Sequence, residues 1–139
     1  MVMEIQDAAL GLAGVLGSGT AVVHGILTQR LMVKPIDAFL SGNQRVSAPI
    51  RRLVPLLLHL STISWFLGGL ALLPAALWWG YDTKLAIGLS VGSLYLFGAV
   101  VNAWATRARH AGWMLMAAAV LLIVVGLAHS TPLTGVERC

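Results

Sequence analysis

The chain has 139 residues, enough for one domain, of which 58% are apolar and 10% charged, with a formal net charge of +4. An ordinary soluble domain carries about 25% charged residues, and a chain this short could not hide so many apolar side chains, so a soluble globule is excluded. The nine basic residues lie between long apolar runs instead of forming a basic face, which excludes a nucleic-acid-binding protein.

The first apolar segment covers residues 8–27. The preceding MVMEIQD is acidic and lacks the positive leader of a signal peptide, so this segment is expected to be a retained membrane span. Gly17, Ala21 and Gly25 fall along one helical stripe, with His24 on the same side. Small-residue stripes let membrane helices approach closely, so His24 should face other helices.

Residues 28–52 are expected to form the longest loop. Arg30, Lys34, Arg45, Arg51 and Arg52 stand there against a single acid, Asp37. Pro35 and Pro49 break the stretch, Ser41-Gly42-Asn43 reads as a turn, and PIDAFLS between them can lie as a short amphipathic surface helix. The five basic residues set topology. They are also candidate ligands for anionic lipid headgroups, each contributing about 1 kcal/mol near such a surface.

The second span covers 53–79. No acid, Lys or Arg interrupts it from Leu53 to Leu73, and Trp78, Trp79 and Tyr81 mark its far end as an interface. Pro55 is expected in its first turn, and Pro74 is expected to kink or end it. A short turn follows, in which Asp82 or Thr83 can cap the next helix. The third span covers 85–105. Gly88, Gly92, Tyr95, Ala99 and Asn102 share an arc of roughly 80°. Arg107, Arg109 and His110 occupy the third loop, and the nearly featureless fourth span covers 111–128, with His129 at its end. The polar tail STPLTGVERC is expected to lack regular structure. The lone cysteine, Cys139, permits no disulfide within the chain.

Basic residues are asymmetric. Seven lie in the first and third loops, namely Arg30, Lys34, Arg45, Arg51, Arg52, Arg107 and Arg109. Lys84 and Arg138 lie on the other side with Glu4, Asp7, Asp82 and Glu137. The positive-inside rule then puts the first and third loops in the cytoplasm and both termini outside. The fold expected is all-α, an integral-membrane antiparallel four-helix bundle.

Polar residues inside spans are where function is sought first. His24, His59 and Asn102 sit roughly 8 to 11 Å inside the cytoplasmic boundary, on three different helices. Three readings are open. The residues can hydrogen-bond locally and fix the register of the bundle. They can line a water-accessible vestibule for binding or translocation. His24 and His59 can hold a b-type haem, with Asn102 as neighbour. On the second span His59 lies about 180° from the small-residue stripe of Ser61, Ser64, Gly68 and Ala75, which weighs against the haem. No acid lies beside these histidines to orient them for acid–base work or to complete a metal shell.

Within the second span His59, Trp65, Gly68, Gly69 and Leu70 spell H-x5-W-x2-G-G-L. This resembles the histidine-led helix of the copper-resistance CopD membrane family and the first helix of the HemJ-type protoporphyrinogen oxidases. The resemblance covers about a dozen residues. It implies copper handling or haem binding, carried over here to His59 alone. Here the motif stands in the second span, without the oxidases' downstream basic and aromatic residues or a Met/His-rich copper tract. More broadly the chain resembles small uncharacterised bacterial four-helix membrane proteins, which implies a multi-pass protein of the bacterial inner membrane. The function expected is a non-enzymatic component that packs against or modulates other membrane components. The alternatives are a haem-binding redox protein using His24 and His59, and a small oligomeric transporter. The small-residue faces of spans one and three can serve a homo-oligomer as well as the bundle.

Overall fold

A computed structural model describes residues 4–43 and 45–128. His129 and the tail with Glu137, Arg138 and Cys139 lie outside the described residues. The described chain is helical, with no strand: α1 (Ile5–Thr28), α2 (Lys34–Gly42), α3 (Ala48–Trp78), α4 (Tyr81–Ala105) and α5 (Gly112–Leu127). A single π-helical turn, Gln29–Val33, joins α1 to α2, so Ile5–Gly42 is one rod of 38 residues.

The expected loop 28–52 is therefore largely helix. Pro35 was its main breaker, because proline lacks the N–H and its ring collides with the carbonyl four residues back. The π turn immediately before it admits an extra residue per turn and carries the helix past that collision. The connection proper shrinks to 43–47. Because α3 starts at Ala48, Pro49 occupies its first turn and Pro55 lies in its interior. Pro74 does not end the helix, which continues to Trp78. Gly80, and not Asp82 or Thr83, takes the N-cap position of α4, leaving Asp82 in the first turn where a carboxylate complements the helix dipole.

The rod Ile5–Gly42, α3 and α4 are long and apolar enough to cross a membrane; α5, at 16 residues, is a shorter apolar helix. The helices alternate in direction. Gly14 of α1 meets Gly69 and Leu72 of α3, whereas Gly25 meets Thr62. Gly68 of α3 meets Val91 of α4 and Trp65 meets Gly98; Gly88 of α4 meets Leu127 of α5. Gly126 of α5 returns to Leu10 of α1 and closes the ring. The small-residue faces of α1 and α4 are thus used inside one chain.

Two close approaches fix the packing. A Cβ on Gly14 or on Gly69 would lie 2.7 Å from the other's carbonyl oxygen, so the α1 and α3 backbones touch there. Gly17 faces Tyr95, which reaches from α4 to the bundle centre, is fully buried, and donates its hydroxyl to the Trp65 carbonyl at 2.9 Å. Leu10, Leu72 and Met116, the other large side chains buried almost completely, belong to the same core. Outward, the bundle is apolar: Leu60, Leu67, Leu89, Phe97, Leu121 and Val124 are all exposed.

The two ends differ in charge. The Gln29–Arg52 hairpin carries five basic residues, and Arg107 and Arg109 lie at the same end. At the other end Lys84 is the one described basic residue, and it is paired with Asp7 across the bundle.

Candidate functional site: a polar layer between two cavities

The site forms where α3 and α4 part toward the basic end. Their contact is tight at Gly68–Val91 and Trp65–Gly98. Beyond Trp65 a cavity of about 480 Å³ opens between them, with α1 as its back wall. Its rim is the exposed Leu57, Leu60, Phe97 and Val101, so it opens sideways through the bundle exterior. A second cavity of about 210 Å³ lies under the α4–α5 connection. His24, Trp65 and Asn102 line both and stand between them.

Each of the three is held by its neighbours. His24 lies on the α1 face that meets α3, and its ring packs against Trp65 with centroids 4.6 Å apart and planes tilted by 49°. The Trp65 indole fills the space that Gly98 leaves on α4. Asn102 donates its Nδ2 to the Gly98 carbonyl at 2.8 Å, which fixes the amide while leaving its oxygen free to accept.

His110 completes the smaller cavity, and sequence reasoning missed it. It stands in the third loop, as the sequence predicts, and no spacing signal ties it to His24 or Asn102. The chain turns back over the bundle through Arg107 and Ala108, two consecutive left-handed residues with φ of 51° and 58°. The Ala108 N–H reaches the Ala103 carbonyl at 2.7 Å, and the Trp113 indole donates to the Ala108 carbonyl. His110 Nδ1 accepts the Gly112 N–H, which leaves its Nε2 as the free ring position.

His59 is elsewhere. It lines neither cavity. Its Nε2 is 2.8 Å from Gln29 Oε1, on the first residue of the π turn. Neither of these two cavities therefore brings His24 and His59 together, and His59 Nε2 is engaged with Gln29. Among the described residues no group of three or more His, Cys, Asp or Glu side chains gathers as a metal site.

The five residues expected to meet lipid headgroups divide. Arg30, Lys34, Arg45 and Arg52 are exposed. Arg51 is not free: Nε donates to the Val46 carbonyl at 3.2 Å and Nη2 to the Asn43 carbonyl at 3.1 Å, so its guanidinium caps the end of α2 and holds the hairpin turn. The Arg45 N–H closes the turn on Asn43 Oδ1 at 3.0 Å. Within the H-x5-W-x2-G-G-L stretch Trp65 packs on Gly98 and His24, Gly69 on Gly14, and Gly68 on Val91. No protein-family profile, curated protein or solved structure matches this chain.

Proposed function

We propose that this chain is a multi-pass integral membrane protein that crosses the bilayer four times, with its basic hairpin end in the cytoplasm and both termini outside, and that it acts by binding and packing within the membrane and not by catalysis. One observation carries the reading: an apolar exterior lies between two ends of opposite charge character. At the acidic end the described lysine is neutralised by Asp7, so the unpaired positive charge is concentrated at the other end. At about 57 Å, the rod Ile5–Gly42 is longer than a hydrocarbon core of about 30 Å, so the hairpin stands in the headgroup layer. There Arg30, Lys34, Arg45 and Arg52, interleaved with exposed Leu31, Met32 and Phe39, suit an anionic surface. The short α5 is accommodated by local thinning of the bilayer. Among the described residues no carboxylate lines either cavity, so His24 has no orienting acid there, which favours binding over acid–base chemistry.

Alkaline carbonate extraction tests the reading. The protein is expected to stay in the membrane pellet and to leave it only with detergent; release by carbonate alone would overturn it.

A further inference from the structure

We infer that the cavity between α3 and α4 is a lateral binding site for a single-tailed amphiphile with an uncharged oxygen head, an alcohol or a ketone, taken up from the cytoplasmic leaflet. This rests on the membrane reading above.

The argument begins with hydroxyl groups. In a helix surrounded by lipid, serine and threonine normally turn back to the carbonyl four residues earlier, because no water is there to satisfy them. Thr20, Ser90, Ser93 and Thr106 all do so, at 2.7 to 2.8 Å. Ser61, Thr62 and Ser64 do not. Thr62 packs against Gly25 with its hydroxyl buried and lines neither cavity, whereas Ser61 and Ser64 are half-buried, both line the larger cavity, and neither has a hydrogen-bond partner among the described residues. The His24 ring nitrogens have none either, and the Asn102 oxygen remains open to donors. Polar groups left open in an apolar crevice carry a desolvation cost that a bound oxygen would remove.

The rest of the lining selects the ligand. Among the described residues no Lys, Arg, Asp or Glu lines the cavity, although the basic hairpin stands close by, so a carboxylate or phosphate head would enter without a counter-charge. Serine, histidine and asparagine together supply donors and acceptors, which suits a hydroxyl or carbonyl. Apart from Thr28 and Gly98 the remainder is Leu, Met, Phe, Val and Trp, and the rim faces the bundle exterior, so an apolar chain can leave sideways into lipid. A volume of about 480 Å³ lies within the usual range of ligand pockets and is too small for a two-tailed lipid.

The test is photolabelling of the full-length protein in phosphatidylcholine nanodiscs with a diazirine-bearing hexadecanol. Diazirine-bearing palmitic acid and phosphatidylcholine serve as comparators, and adducts are mapped by mass spectrometry. The alcohol is expected to label the 57–64 and 94–102 segments. Labelling is expected to fall about fivefold in Ser61→Ala/Ser64→Ala, the equivalent of about one net hydrogen bond, and to fall likewise in Leu94→Trp, which adds bulk to the half-exposed cavity wall. Alcohol adducts spread evenly over the apolar exterior, labelling unchanged in the variants, or stronger labelling by the acid or the phospholipid would each overturn the proposal. If Leu94→Trp loses its helical circular dichroism, the double serine variant decides alone. Carbonate extraction reports on the membrane reading independently, so a protein that stays in the membrane but labels evenly refutes only the binding site.

Discussion

Gly17→Ala is a small substitution with a large expected effect. The new methyl group would overlap the Tyr95 hydroxyl and the adjacent ring carbons. Tyr95 has no free volume to retreat into, since it is fully buried at the bundle centre. Displacing it breaks the bond to the Trp65 carbonyl, about 1 kcal/mol, and adds overpacking of about 1 to 3 kcal/mol. The helix-propensity gain of alanine over glycine, about 1 kcal/mol, opposes this. The net expectation is destabilisation by about 1 to 3 kcal/mol. Detergent-solubilised protein titrated with SDS and followed by tryptophan fluorescence measures it. Gly19→Ala is the control: nothing lies within 4 Å of a Cβ there, so it should be neutral or stabilising by up to about 1 kcal/mol. In a Tyr95→Ala background the penalty of Gly17→Ala should vanish. An undiminished penalty in that background would refute the reasoning, because the cost would then not come from the collision.

Other outcomes follow from single contacts. Arg51→Ala should loosen the 43–47 turn, seen as faster amide exchange of the residues around it, whereas Arg52→Ala should leave exchange unchanged, since it is the Arg51 guanidinium that donates to the Val46 and Asn43 carbonyls. A double-mutant cycle on Asp7 and Lys84 should give a coupling of about 0.2 to 1 kcal/mol, because both side chains are partly exposed; a value several times larger would mean the pair is desolvated. Ala108→Gly should stabilise the protein by up to about 1 kcal/mol in the same SDS titration, since glycine accepts the left-handed conformation that alanine occupies at a cost.

The helical architecture was legible because apolar length and small-residue spacing are local signals. Gly17, Gly25, Gly88 and Gly92 were placed on interhelical faces from spacing alone, and they meet neighbouring helices. What was not legible depended on partners distant in sequence. Pro35 reads locally as a breaker, and only the π turn before it lets the rod continue. That rod also supplies Gln29, the partner of His59; with residues 28–52 read as a loop, the sequence offers His59 only His24 and Asn102 as polar neighbours. The polar layer was half read. His24 and Asn102 both line the smaller cavity, and the second imidazole there is His110, returned to the bundle by two left-handed residues that carry no glycine signature. Arg51 was read as one charge among five, whereas its geometry makes it the clasp of a turn.

The central claim is that four helices cross a bilayer with the basic hairpin inside. Single cysteines at Ser41 and Thr83, both exposed and at opposite ends of the bundle, introduced into a Cys139→Ser background, test it most directly. Intact cells are treated with a membrane-impermeant maleimide before and after permeabilisation. The account predicts that Thr83→Cys labels in intact cells and that Ser41→Cys labels only after permeabilisation. The reverse pattern, or equal labelling of both positions in intact cells, would contradict it.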